Sequence, residues 1–187
     1  DTSSTLVAWY AGVNIIVPRC DAMPVFASNN IVRANLISGN GANPSVNRGE
    51  GVSITNCPPG DNAFNLVEFN YIGTDISGTL DLGNDSRGIL LNGGNNTVGG
   101  AGENDRNIIS GNGSNGVQVG VSQGNTVTGN LIGTNGDGTL AIPNERNGID
   151  VADSAGTTIT DNVVSGNAFV GIKLYAGCGG SVVTGNR

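Results

Sequence analysis

Asn107-Ile108-Ile109-Ser110-Gly111-Asn112, then Gly116-Val117-Gln118-Val119, then Asn130-Leu131-Ile132-Gly133 sets out one complete structural unit, because the third stretch restarts the first. Both signatures recur along the chain. Asn-x-(Ile/Val/Leu)-(Ser/Gly) returns at Asn35, Asn70, Asn107, Asn130 and Asn162, with a sixth start at Asn186. Gly-(Val/Ile)-x-(apolar) returns at Gly12, Gly51, Gly88, Gly116, Gly148 and Gly171. Self-similarity at a period of roughly 20 to 50 residues is the mark of stacked units, each too small to bury its apolar face alone.

Inside each signature apolar and polar residues alternate, as in Thr126-Val127-Thr128 and Gly148-Ile149-Asp150-Val151, so a strand turns one side to a core and the other to water. Successive asparagines are separated by 35, 37, 23, 32 and 24 residues. The shortest step defines a bare coil of three short strands, and the longer steps are the same coil with an insertion at a corner. Coils pairing in parallel at ~4.8 Å make a rod roughly 29 Å long from six of them.

Composition agrees with this reading. The chain has 187 residues, 32 of them glycine, with 4% aromatic and 12% charged residues, which suits short strands and many turns. Apolar residues come in short Val, Ile and Leu runs with no 3.6-residue stripe, so almost no helix is expected. A formal charge of -7 with only 8 Lys plus Arg argues against a nucleic-acid partner. No apolar run is long enough for a membrane-spanning helix, and Asp1 opens neither a charged nor an apolar leader region. The absence of histidine removes imidazole acid–base chemistry and makes zinc catalysis improbable.

Three stretches, Asn35-Leu36-Ile37-Ser38-Gly39-Asn40, Asn107-Ile108-Ile109-Ser110-Gly111-Asn112 and Asn162-Val163-Val164-Ser165-Gly166-Asn167, share one motif. A second is shared by Ile72-Gly73-Thr74-Asp75-Ile76-Ser77-Gly78-Thr79-Leu80 and Ile132-Gly133-Thr134-Asn135-Gly136-Asp137-Gly138-Thr139-Leu140. On these motifs residues 12–187 resemble the right-handed parallel β-helix proteins of the pectate-lyase-like superfamily, especially secreted bacterial β-helix repeat proteins with the consensus N-x-I-S-G-N joined to I-G-T-D-x-x-G-T. The resemblance implies an all-β, right-handed parallel β-helix solenoid of about six coils. Residues 1–30 are expected to form an N-terminal first coil or cap, with Trp9, Tyr10, Met23 and Phe26 at a cap or interface, and residues 31–187 to continue the same domain. Since this superfamily spans lyases, hydrolases, epimerases and adhesins, the resemblance speaks for fold more than for activity.

Asn35, Asn70, Asn107, Asn130, Asn162 and Asn186 are read as a stacked structural ladder, since a carboxamide both donates and accepts and tolerates corner conformations. Cys20 and Cys57 fall on adjacent coils at one corner, where the coil spacing suits a disulfide, and are expected to be bonded. Cys178 is four coils beyond Cys57 and is expected to be unpaired within the rod, as a free thiol, an interchain bond or a small buried residue.

Three insertions, 39–50, 73–87 and 133–147, all fall between a first signature and the next second signature, so they project from one corner. Insertions on one face of a solenoid commonly form its binding face. The candidate binding residues there are Arg48, Glu50, Asp75, Asp81, Asp85, Arg87, Asp137, Glu145 and Arg146. Asp75 and Asp137 lie in acidic Gly turns that offer oxygen ligands to a hard cation such as calcium, although an ordinary Asx turn explains the same residues. Two cross-strand pairs, Arg33 with Glu68 and Asp150 with Lys173, read as surface charge complementarity, with catalysis by Asp150 and Lys173 as the alternative. Thr97, Thr126 and Thr158 form one outward column and Thr128, Thr160 and Thr184 a second, a pattern resembling ice-binding β-helices.

The function expected is an exported structural or surface-binding β-helix at the cell surface or outside the cell, either adhesin-like or a filament or matrix subunit. It displays corner loops to glycan or protein partners, requires no cofactor, and self-associates end to end if the signature cut at Arg187 does not continue. The alternative is a carbohydrate-active enzyme, a calcium-dependent polysaccharide lyase or epimerase, and a remoter one is ice binding.

Overall fold

The structure, a computed structural model, describes residues 12–16, 27–41, 49–55 and 64–187. Cys20, Cys57, Arg48, Trp9, Tyr10, Met23 and Phe26 lie outside these residues. Among the described residues seventeen strands form three parallel sheets, and each coil gives one strand to each sheet except the last, which gives none to the third. Sheet A holds β1 (Val13–Ile16), β4 (Val52–Thr55), β7 (Ile89–Asn92), β10 (Val117–Gln123), β13 (Ile149–Ala155) and β16 (Ile172–Leu174). Sheet B holds β2 (Ile31–Arg33), β5 (Leu66–Glu68), β8 (Thr97–Gly99), β11 (Thr126–Thr128), β14 (Thr158–Thr160) and β17 (Val182–Thr184). Sheet C holds the two-residue strands β3 (Leu36–Ile37), β6 (Tyr71–Ile72), β9 (Ile108–Ile109), β12 (Leu131–Ile132) and β15 (Val163–Val164). The only helical element among the described residues is a 3₁₀ turn, Glu103–Asp105.

The register follows from the period-2 alternation, since a slip by one residue would turn the buried column outward. Val67, Val98, Val127 and Ile159 stand over one another in sheet B, and all are 0% exposed. Ile72, Ile109 and Ile132 repeat this in sheet C, and Val52, Ile89, Val117 and Ile149 in sheet A. These columns merge into one continuous apolar cluster running the length of the rod. Each fully buried Val or Ile contributes about 1.5–3 kcal/mol, and β-branched residues suit the pleat in which they sit.

The glycine opening the second signature is required by coil spacing. A Cβ on Gly88 would lie 2.7 Å from the Gly116 carbonyl oxygen, and one on Gly116 would lie 2.8 Å from that of Gly148. Backbone meets backbone at this corner, where Ile89 and Val117 donate their N–H groups to Gly116 and Gly148 at 2.8 and 2.9 Å.

Asparagine ladders run up all three corners. Between sheets B and C, each Nδ2 from Asn35 through Asn162 donates to the Oδ1 of the next asparagine, ending at Asn186, over 2.9–3.0 Å. Between sheets C and A, the bonds run Asn40 to Asn84, Asn112, Asn144 and Asn167 at 2.6–2.9 Å. Between sheets A and B, they run Asn30 to Asn65, Asn96 and Asn125 at 2.9–3.2 Å. Asn125 then donates to Ser122, whose hydroxyl bonds Ser154, so hydroxyl groups continue the third column. Buried corner backbone is thereby satisfied without water, which an unpaired polar group in a dry interior demands.

Candidate functional site

Insertions 73–87 and 133–147 leave the corner between sheets C and A and fold back over the outer face of sheet C. Each begins with a short antiparallel bridge, Thr74 with Asp81 and Thr134 with Ala141. The tips share one turn design. Asp75 Oδ1 accepts the N–H groups of Thr79 and Leu80 at 2.9 Å each, while its Oδ2 accepts from Ser77 N at 3.2 Å and Ser77 Oγ at 2.5 Å. Asn135 fills the equivalent place, its Oδ1 accepting from Thr139 and Leu140 at 2.8 and 3.0 Å. Hydrogen bonding from Ser77, Leu80 and Thr79 holds the Asp75 carboxyl far below the usual carboxylate range.

The two tips belong to coils separated by a third coil without such an insertion, yet they touch: Gly136 N–H donates to the Gly78 carbonyl at 3.0 Å. Beneath this bridge lies Ile108, an outward residue of sheet C that is only 7% exposed. Leu131, the next outward residue in the column, is 2% exposed under the second insertion. The outer face of sheet C is therefore apolar and roofed at Ile108 and Leu131, while Leu36 at the end of the column is exposed, and the two insertions form one shelf over its middle.

A cleft of about 360 Å³ opens between this shelf and the 3₁₀ turn. Tyr71 and Ile108 from sheet C line it, with Phe69, Glu103 and Arg106 on the side of the B–C corner and Asp137 on the tip of the second insertion. The Arg106 side chain is anchored by its Nε to the Gly129 carbonyl at 3.0 Å. Among the described residues, neither the Glu103 nor the Asp137 carboxylate is held by a hydrogen bond or ion pair.

The structure disperses the other residues singled out from the sequence. Glu50 is 3% exposed and accepts from Arg87 at 3.1 Å, and Arg87 Nε also donates to the Gln118 carboxamide on the outer face of sheet A. Asp81 Oδ1 caps Gly83 N at 3.0 Å within its own insertion. Asp85, Glu145 and Arg146 are exposed, each tied to the adjacent coil by its backbone N–H: Asp85 to Asn40, Glu145 to Asn112 and Arg146 to Ser114. Of the two residues considered for calcium, Asp75 is committed to its own turn and Asp137 faces the cleft. Among the described residues no group of three or more His, Cys, Asp or Glu is placed to hold a metal ion.

Both cross-strand pairs are in register. Arg33 bonds Glu68, lies 3.6 Å from the Asp105 carboxylate and sits over the Phe69 ring. Asp150 is not a solvated surface group: it is 6% exposed and accepts from Asn147 Nδ2 at 2.7 Å. Its register neighbour Lys173 lies over the Tyr175 ring at 4.3 Å, and the Tyr175 interaction raises the Lys173 pKa, with a smaller contribution from Asp150. The threonines align as two columns on sheet B, Thr97–Thr126–Thr158 and Thr128–Thr160–Thr184. Cys178 is a free, half-buried thiol donating to the Val151 carbonyl at 3.4 Å and packed against the core.

Sequence comparison matches residues 13–187 to the family described as the right-handed beta helix region. The chain belongs to this family. No curated protein matches it, and no solved structure does. For this β-helix, membership accounts for the three stacked parallel sheets. No helix among the described residues is long and apolar enough to cross a membrane.

Sequence reasoning missed Phe69, Tyr71, Glu103 and Arg106 as cleft residues. A signal was present: β8 ends at Gly99 and the ladder asparagine follows only at Asn107, whereas Thr128 and Asn130 are two residues apart in the next coil.

Proposed function

We propose that this β-helix is an exported, non-catalytic display scaffold, at the cell surface or outside the cell, that binds a glycan or a neighbouring protein along the roofed outer face of sheet C. The observation that carries this reading is the bridge from Gly136 to Gly78, which joins loops of separate coils into one continuous shelf. Side chains supporting the shelf are spent on its own turns, as Asp75 and Asn135 illustrate, which gives a rigid surface of fixed shape. Rigid presentation lowers the ordering cost that a partner would otherwise meet. Calcium is not required by this reading.

An enzyme needs an acid or base converging with a second group on one reacting centre. Three insertion carboxylates instead have separate tasks, with Glu50 on Arg87, Asp81 on Gly83 and Asp75 on its own turn, and only Asp137 joins Glu103 and Arg106 at the cleft. A glycan array probed with the native chain and with a variant whose two insertions are shortened to the bare 110–116 turn tests the proposal. Glycan binding lost in the shortened, still folded variant supports it. Chelator-sensitive formation of a double bond in a uronate polymer overturns it in favour of a polysaccharide lyase.

A further inference from the structure

We propose that the cleft between the 3₁₀ turn and the second insertion is a subsite for a short neutral saccharide, with Phe69 and Tyr71 as its apolar walls and Arg106, Glu103 and Asp137 as its polar contacts. This rests on the display-scaffold reading above and assigns it a ligand class and a place.

The first support is composition. In a chain with 4% aromatic residues, two aromatic side chains lie together in one cleft. Small-ligand sites combine apolar and aromatic walls with a few placed polar groups, and the face of an aromatic ring suits the C–H face of a sugar. The volume of about 360 Å³ is at the small end of ligand sites and suits one or two sugar rings.

The second support is the backbone at Phe69. At the B–C corner, the place it occupies is filled elsewhere by Ala34, Gly129, Asp161 and Gly185, all with positive φ. Phe69 shares that conformation with φ 54°. Only glycine adopts it without steric cost, so the aromatic is held there against a backbone penalty, with the Arg33 guanidinium over its ring as a contact within the fold. Backbone strain of this kind concentrates at binding sites.

The third support is charge. Arg106 is fixed by its Nε, and its two terminal nitrogens have no partner among the described residues, so they are placed to donate to hydroxyl or ring oxygens. Glu103 and Asp137 accept from sugar hydroxyls. Two carboxylates against one guanidinium leave the cleft net negative, in a chain of net charge -7, which disfavours uronates and other anionic sugars.

Phe69→Gly separates binding from folding, because it removes the aromatic wall while relieving the strained backbone. Isothermal titration with neutral tetrasaccharides of glucose, xylose and mannose, and with trigalacturonate, is expected to give binding to at least one neutral sugar and none to the uronate. Phe69→Gly is expected to weaken that binding roughly tenfold or more with an unchanged or higher Tm, and Arg106→Gln to weaken it without loss of fold. Three outcomes overturn the proposal: no neutral tetrasaccharide binds, trigalacturonate binds more tightly, or the variants bind as the native chain does. If the glycan array still registers insertion-dependent binding in those cases, the display-scaffold reading stands and only the cleft assignment falls. If the array is also blank, both fall.

Discussion

Replacing Asn130 by leucine tests the corner ladders at a fully buried point. Asn130 is 0% exposed, and its Oδ1 accepts from Asn107 N at 3.2 Å and Asn107 Nδ2 at 2.9 Å. Its Nδ2 donates at 3.0 Å to Asn162 Oδ1, the Val98 carbonyl and the Thr128 carbonyl. Leucine fills a similar volume but offers none of these bonds. Asn107 Nδ2 retains the Val67 carbonyl at 2.8 Å, and Asn162 Oδ1 retains Asn130 N–H at 2.9 Å. The donor that loses its partner in this dry corner is the Asn107 N–H, whereas the Val98 carbonyl stays in the parallel ladder between β8 and β11. One unsatisfied buried group costs about 1–3 kcal/mol, and that is the expected loss. Asn35→Leu serves as the control, since Asn35 is exposed and water replaces its bonds, so its cost is expected to stay below ~1 kcal/mol. Urea denaturation followed by circular dichroism measures both, with the slope checking that a single cooperative transition survives in the stack. An Asn130→Leu chain within ~0.5 kcal/mol of the native one, or no less stable than Asn35→Leu, refutes the ladder as a stabilising device.

Three further outcomes are expected. Gly116→Ala forces a Cβ to 2.8 Å from the Gly148 carbonyl oxygen and is expected to cost about 1–3 kcal/mol or more in the same assay, whereas Gly39→Val meets no neighbour within 4 Å and loses mainly through its left-handed backbone. Arg87→Leu strands the buried Glu50 carboxylate and is expected to destabilise by about 2–4 kcal/mol, with Glu50→Gln in the same chain recovering part of the loss. The depressed Asp75 carboxyl stabilises its turn fully above the unfolded carboxylate pKa, and that contribution is lost only as pH falls through the lower folded value. In an NMR pH titration the Asp75 carboxyl is therefore expected to stay ionised below the midpoints of ordinary carboxylates. Asp75→Asn, which copies Asn135, is expected to keep the turn and abolish its acid sensitivity.

The stacked-sheet architecture was readable from the chain because inward positions repeat with little variation. Val67, Val98, Val127 and Ile159 stand at homologous places and need no long-range knowledge to align. The in-register pairs Arg33–Glu68 and Asp150–Lys173 were readable for the same reason. The ladder at Asn40, Asn84, Asn112, Asn144 and Asn167 was half visible in the Ser-Gly-Asn motifs. The ladder through Asn30, Asn65, Asn96 and Asn125 was hidden because Ser122 and Ser154 continue it with a different side chain of equivalent chemistry. Burial of Asp150 depends on the packing around its strand and escapes strand alternation, which places it outward.

The cleft was out of reach of periodicity for a stronger reason. It exists because Gly136 meets Gly78 across an intervening coil, and because the 3₁₀ turn widens a single corner. Neither contact repeats, so no repeat reveals it. What varies from coil to coil carries the candidate site, while what recurs builds the support beneath it.

Methyl–methyl nuclear Overhauser contacts along the sheet B column test the central claim most directly. Contacts are expected from Val67 to Val98, Val98 to Val127 and Val127 to Ile159, each to the coil immediately above or below, with none between Val67 and Ile159. Contacts that skip a coil, or a pattern pairing these strands antiparallel, would contradict the stacked β-helix on which the shelf and its cleft depend.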